Sequence, residues 1–408
     1  MFSLNTNKIR EDFPIYERKI NGQKIIYMDS SCMSLRPKQV INKITDYYTK
    51  YSACAGRSSH KLAKETTIEY ENGREQIKKY LSTQKESEII FTRNATEGIN
   101  IVSNSLDLKK DNKVITTDRE HNSNVVPWHV LRYSKGIKHD VVMSNEDMTF
   151  SIEKFKEKLT KDTKLVSVVH SSNIDGYTTP IKEIIDIAHD NGSLVMIDAA
   201  QSAPHKEINV KKLDVDFLTL SGHKMLGPSG TGILYGKYHL LEKIKPYNTG
   251  GDTVSETTYD THEFLPPPEK FEAGLQNYAG GMGLGAAAKY LMKVGLNKIA
   301  EHEIKLNKYI TNEIKDINGL KILGPQEPSK RGGIISFTVD DVDPHDIALM
   351  LSDTSNIMVR SGVHCAHSWF NSHNLNGSCR ASMYLYNTLD EAKIFVEELK
   401  KALDVFTN

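Results

Sequence analysis

With 408 residues, the chain exceeds what one simple core organises, and two packed lobes of unequal size are expected. Its 52 Lys and Arg residues balance 52 Asp and Glu, which removes the overall field that draws nucleic acid or an anionic membrane and points to a small-molecule partner. No stretch reaches the roughly 18 apolar residues of a membrane span, and the opening run MFSLNTNKIREDFPIY lacks a long apolar core with a cleavage site, so a soluble cytoplasmic protein is expected.

In chain order, residues 1–24 carry no core pattern and read as an arm lying on the smaller lobe. Residues 25–290 read as the large lobe. From about residue 85 the strand-like runs EIIF, VITT, VVM, LVSVVH and LVMID alternate with helical or polar segments, the signature of a largely parallel sheet covered by helices. The clearest helix is PIKEIIDIAHDNG, where Pro180 suits the first helical position and Gly192 the C-terminal cap. DVDFLTLS and GTGILYG are two further strands, joined through SGHKMLGPSG. Residues 291–408 read as a smaller α+β lobe: a long polar helix, the strand GIISFTV, a helix from Pro344, strands around VRSG and ASMYLY, and a last helix with a capping-box spacing at Thr388 and Glu391.

Asp198 ends an apolar strand and so falls at the carboxyl edge, where open α/β sheets bind ligands. There it either caps a following helix or faces a cation such as a protonated pyridine nitrogen. Lys224 follows the strand DVDFLTL, again at a carboxyl edge; a desolvated lysine there can form a Schiff base, whereas an ordinary loop lysine is solvated charge. The glycines from Gly227 to Gly232 run into a strand and open no helix, which weakens a dinucleotide reading. Ala95 and Thr96 open the amphipathic segment EGINIVSNSL, so they either cap that helix or present its N-terminus to an anion. The four cysteines, Cys32, Cys54, Cys365 and Cys379, form no CxxC pair and no disulfide framework; buried structural thiols are the ordinary expectation for most of them.

IDAAQ at Ile197 to Gln201 followed by SGHK at Ser221 to Lys224 resembles the class V aminotransferase family of fold-type I enzymes that use pyridoxal phosphate. YMDSS, TRNATEGIN, EHNSNVVPW, HSSNIDG and FEAGLQN extend the resemblance over nearly the whole chain, and VRSGVHCAHSWF with SCRAS makes it most similar to the group II cysteine desulfurases, also called selenocysteine lyase-like. The resemblance implies Lys224 as the Schiff-base lysine, Asp198 as the partner of the pyridine nitrogen, His121 stacked on the ring and Gln201 on the phenolic oxygen. It implies Asn173 near cofactor and substrate, Ala95, Thr96, Ser221 and His223 around the phosphate, and Arg380 as the clamp for the substrate carboxylate, with Arg360 and Arg57 on the substrate side. Cys365 matches the sulfur-accepting cysteine, with His364 before it and Arg360 upstream; positive neighbours favour a thiolate. A zinc cluster of His364, Cys365, His367 and His373 lacks a second cysteine pair and finger spacing, so no metal is expected.

The activity implied is conversion of L-cysteine to L-alanine with sulfur passing to Cys365 and on to an acceptor protein, as in iron-sulfur cluster assembly or another sulfur-transfer pathway. Selenocysteine lyase activity, or transamination or epimerisation of a different amino acid, remains open on sequence grounds, and a homodimer is implied. Two positions depart from the family. Leu275 stands where a threonine hydroxyl is common and cannot donate a hydrogen bond to the other subunit's phosphate. Gly56, in SACAGRSSH, replaces a usual histidine near the substrate entrance.

Overall fold

The apolar runs of the large lobe close into one sheet of seven strands in the computed structural model, which describes residues 4–407. The strands are Ile89–Thr92 (β1), Lys113–Thr117 (β2), Lys138–Val142 (β3), Thr163–Val169 (β4), Leu194–Asp198 (β5), Phe217–Ser221 (β6) and Gly232–Gly236 (β7), in the order β1-β7-β6-β5-β4-β2-β3. From β6 to β3 all neighbours are parallel, and β7 runs antiparallel to both β1 and β6. Parallel neighbours need crossover helices, which bury both faces of the sheet and explain why its central strands read as unbroken apolar runs. In β5 the alternation survives inside that run: Val195 and Ile197 enter one core, while Met196 enters the core on the opposite face.

The helix that feeds β5 spans Ile181–Asp190. Pro180 occupies its N-cap, not the first helical position, and Gly192 turns the chain with φ +79° just beyond the C-cap Asn191. The correction is one residue and follows from Pro180 having ψ 67°, outside the helical range.

A second sheet contains Leu320–Ile322 (β8), Ile334–Val339 (β9), Arg360–Gly362 (β10) and Ser378–Ser382 (β11), antiparallel throughout in the order β8-β9-β11-β10. Its core, with Leu306, Phe337, Ala381, Phe395 and Leu399, is separate from the two that flank the large sheet. The ASMYLY segment departs from the strand expected there: β11 stops at Ser382 because the Asn387 side chain accepts the Tyr384 N–H at 2.8 Å and closes a turn. The last helix, Leu389–Thr407, starts with the capping box, Glu391 N–H donating to Thr388 Oγ1 and Thr388 N–H to Glu391 Oε2, both at 3.1 Å.

Two segments tie the lobes. Ile26–Tyr27 pairs in parallel with Ile357–Met358, so the chain meets the smaller lobe before it enters the large one. In the arm, whose first three residues lie outside the described residues, Arg10 donates to Tyr386 O and Glu391, and Asp12 accepts from Tyr290 Oη at 2.9 Å. Among the described residues no helix is long and apolar enough to cross a membrane.

Candidate active site

At the carboxyl ends of β4, β5 and β6 lies a cavity of about 220 Å³ that the second lobe closes from above. Asp198, the last residue of β5, is buried there. No helix follows it, so a capping role reduces to one turn bond in which Oδ1 accepts the Ala200 N–H at 2.9 Å. Burial raises its carboxyl pKa, against the opposing pull of the Ala200 N–H and of Lys224.

Lys224 ends the tight turn Gly222–Lys224 after β6. Gly222 is required in that turn, since a Cβ would run into Thr231 and Leu284. The Lys224 side chain is half-buried and its pKa falls, chiefly through desolvation and in part through Arg380, while Asp198 acts in the opposite sense. A desolvated amine sharing a small cavity with a buried carboxylate is the arrangement that keeps a lysine reactive.

One wall is the N-terminus of the helix Ala95–Ser105. Asn94 is its cap, accepting the Glu97 N–H at 2.9 Å, which leaves the Thr96 hydroxyl free to meet Ser123 Oγ at 2.7 Å. Ser221 Oγ accepts the Ala95 N–H at 2.9 Å, and His223 lines the same corner. At Gly232 a Cβ would lie 2.6 Å from Asn94 Cα, so β7 passes beneath this loop only as glycine. Helix N-termini of this kind attract anions.

His121 caps the next turn, its Nδ1 accepting the Ser123 N–H at 3.1 Å, which puts the ring proton on Nε2. Burial, reinforced by Lys224 and Arg380, pushes its pKa down to about 3, so the ring is neutral at physiological pH. Several buried polar atoms of the cavity have no protein partner: Gln201 Oε1, Asn173 Oδ1 and Arg380 Nε. Their other atoms are fixed, Gln201 Nε2 on Ser31 O at 2.7 Å, Asn173 Nδ2 on His364 O at 2.6 Å, and Arg380 Nη1 on Asn173 O at 2.7 Å. Buried groups held this firmly and left half satisfied, two acceptors and one donor, are hydrogen-bonding partners set for a polar ligand.

Cys365 is exposed and forms part of the cavity rim. It and His364 both adopt left-handed backbone, φ +56° and +49°, a conformation costing roughly 1–2 kcal/mol per non-glycine residue. The loop is pinned nevertheless: Asn122 N–H donates to Cys365 O at 2.7 Å, and His364 Nε2 meets Ser378 Oγ at 2.8 Å. The neighbouring imidazoles diverge, His367 to Asn122 and His373 stacked on Trp369 with centroids 4.1 Å apart.

Every expected site residue but one reaches this cavity. Arg57 does not; its half-exposed guanidinium pairs with Asp252 instead. Sequence reasoning passed over Ser31 and Cys32, which line the cavity because the YMDSS turn lies against β11, where Ser31 N–H donates to Ser382 Oγ at 3.0 Å. Cys32 is half-buried and not the enclosed structural thiol expected of an isolated cysteine.

The aminotransferase class V profile matches residues 26–395. Probable cysteine desulfurases from Halalkalibacterium halodurans and Streptomyces coelicolor are 37% and 38% identical to this chain, over 99% of it in both cases and over 99% and 98% of the relatives. Among solved structures, the apo cysteine desulfurase of Thermococcus onnurineus NA1 superposes with a TM-score of 0.93 at 36% identity, covering 98% of each chain. The cysteine desulfurase CsdA of Escherichia coli, in its S-sulfonic acid form, gives 0.91 at 29% identity over 99% of each. With the sheet, the cavity at its carboxyl edge and these full-length matches in hand, the chain belongs to the class V aminotransferase family.

Proposed function

We propose that the protein is a cysteine desulfurase that binds L-cysteine beside pyridoxal phosphate, moves the substrate's sulfur to Cys365 and releases L-alanine. One observation carries this reading: an exposed thiol, Cys365, shares a cavity with the half-buried Lys224 amine and the buried Asp198 carboxylate. The residues present fit the cofactor. Asp198 suits a protonated ring nitrogen, the neutral His121 ring suits a flat aromatic partner, Gln201 offers a polar atom to a ring substituent, and the Ala95–Thr96 helix end with Ser221 and His223 suits a phosphate. When bound, the group supplies an electron sink for the substrate's α-carbon.

The chain's own residues do the rest. Arg380 grips the substrate carboxylate through its guanidinium fork, with Arg360 beside it. Asn173 holds both Arg380, through its carbonyl, and the Cys365 loop, through its amide, so clamp and nucleophile share one support. Lys224, its pKa lowered by burial, takes and returns the proton at the α-carbon. The Cys365 thiolate then forms a bond to the substrate sulfur as the carbon–sulfur bond breaks; the electron pair stays on the carbon fragment, which gains a proton and leaves as alanine. Cys365 is left as a persulfide on an exposed rim, accessible to a thiol-bearing acceptor protein. The working unit is a homodimer, in keeping with the exposed Leu275 and Tyr259 on the large lobe.

The test is incubation of the cofactor-loaded protein with L-cysteine and a thiol reductant, counting sulfide and alanine together. Equal amounts of both, lost in Cys365→Ala, are expected. Alanine without sulfide, or undiminished turnover in Cys365→Ala, refutes the assignment.

A further inference from the structure

Cys32 and Cys365 come from opposite ends of the chain and line one cavity. The other two cysteines behave as structural thiols. Cys379 is fully enclosed in the smaller lobe, where burial pushes its thiol up to about 12, and Cys54 lies away from the cavity, 3.6 Å from Tyr278 Oη. Cys32 differs from both. Half-buried like Cys54, it is distinguished by lining the cavity and by Arg360 Nη1, which donates to its Sγ at 3.1 Å, while its N–H on Asp29 O at 3.1 Å holds it in a turn. A guanidinium donating to sulfur is a charge-assisted contact that a core cysteine does not make. Lys224 and Arg380 line the same cavity as Cys32 and Cys365. Two thiols and three cations therefore converge on a space of about 220 Å³, and Arg380 Nε and Asn173 Oδ1 line the same space buried and unpartnered.

We propose that Cys32 is a second sulfur carrier, taking the sulfane sulfur from the Cys365 persulfide inside the active-site cavity. The proposal rests on the desulfurase reading. The Cys32 thiolate attacks the outer sulfur of Cys365–S–SH, a Cys32–sulfur bond forms, and the bond from Cys365 Sγ to that sulfur breaks with its electron pair going to Cys365. The proton released when Cys32 ionises is taken up by the Cys365 thiolate that leaves. A persulfide and a thiol give a thiol and a persulfide, so no oxidant or reductant enters. Arg360 is already placed to donate to the sulfur that attacks. The transfer frees Cys365 for a second substrate and moves the first sulfur from an exposed rim to a half-buried site, away from bulk thiols.

The experiment loads the full-length holoenzyme with a few equivalents of L-cysteine and no other thiol, quenches at early times with an alkylating agent, maps persulfides by peptide mass and counts alanine. Persulfide on the Cys32 and Cys365 peptides, with an alanine burst approaching about two per subunit, is expected. Cys32→Ser should keep the Cys365 label and drop the burst to about one. Cys365→Ala should leave Cys32 unlabelled. A wild-type burst of about one with Cys32 unmodified overturns the proposal, as does a Cys32–Cys365 disulfide formed with release of sulfide, or a Cys32 persulfide in Cys365→Ala. Absence of both alanine and Cys365 persulfide in the wild type instead removes the desulfurase reading, and this proposal with it.

Discussion

Arg360 and Arg380 stand directly opposite each other as register partners across β10 and β11, and they share Asp29, 3.9 Å from the first guanidinium and 3.5 Å from the second. Like charges facing across an antiparallel pair destabilise it by roughly 0.2–1 kcal/mol. One carboxylate offsets one of them, and burial works against even that carboxylate by raising its pKa. The fold thus holds a standing excess of positive charge at the mouth of the cavity, which an anionic substrate group relieves.

From this follows an asymmetric pair of clamp variants. Arg380 is almost fully buried with Nε unpartnered, whereas the Arg360 side chain is 40% exposed. Losing a charge-assisted hydrogen bond of about 1.5–3 kcal/mol, Arg380→Ala should raise KM for L-cysteine by about 10–100-fold, with a smaller rise for Arg360→Ala. Arg380→Lys should not restore it, because an ammonium lacks the fork. Steady-state kinetics with equal effects at the two positions would sink the argument.

Stability should fall as the solution is acidified below pH 6.5. Burial lowers the pKa of His121 and His170 to about 3, of His139 to about 4 and of His364 to about 2, so these rings stay neutral in the fold while the unfolded chain protonates near 6.5. In that interval the unfolded state binds more protons, and each such group tilts stability toward higher pH by about 1.4 kcal/mol per unit. Glu120, raised to about 7 by burial, and the raised carboxyls of Asp29 and Asp198 act with the opposite sign but are fewer. Urea midpoints should therefore drop between about pH 6.5 and 5, and His139→Gln should flatten the profile. A midpoint that climbs on acidification contradicts this balance.

How much of this was legible in the sequence depended on the range of the interaction. LVSVVH and LVMID announced their strands because both faces are buried, and Asp198 and Lys224 were legible because a strand's carboxyl edge is a local property. Cys32 was not. Its meaning comes from the pairing of Ile26–Tyr27 with Ile357–Met358, which brings Arg360 onto a turn distant in the chain. Arg57 failed for the same reason in reverse: its neighbours in sequence match the pattern, but Asp252 captures the side chain. At ASMYLY the local alternation was real, and one amide, Asn387, ended the strand.

A buried ion pair should prove costly to break from one side only. Arg74 Nη1 and Nη2 grip both oxygens of Glu272 at 2.8 and 2.9 Å, and Glu272 Oε1 also accepts the Phe91 N–H at 2.7 Å, joining the helix Lys61–Leu81 to β1 and the FEAGLQN turn. Glu272→Ala strands a buried guanidinium and should cost about 3–5 kcal/mol, read as a lowered urea midpoint. The double change Arg74→Met with Glu272→Met should recover much of that loss, since both charges leave together. A double variant no more stable than Glu272→Ala would show that the turn is held by something other than this pair.

The same turn carries the departure at Leu275, whose side chain is 70% exposed just after Gly274, where φ is +79°. An exposed leucine with no enclosing partner in its own subunit contributes little to the fold, so replacing it should leave the cofactor-free protein's melting unchanged. If the homodimer brings this position to the phosphate site of the partner, as the family resemblance implies, Leu275→Thr adds a hydroxyl donor where none exists. One such hydrogen bond, about 0.5–1.5 kcal/mol, should slow cofactor loss on dilution by about 3–10-fold, followed by absorbance and by residual activity. Unchanged retention would mean that the Ala95–Thr96 helix end, Ser221 and His223 satisfy the phosphate within one subunit, and that leucine is tolerated because the threonine's bond is redundant here.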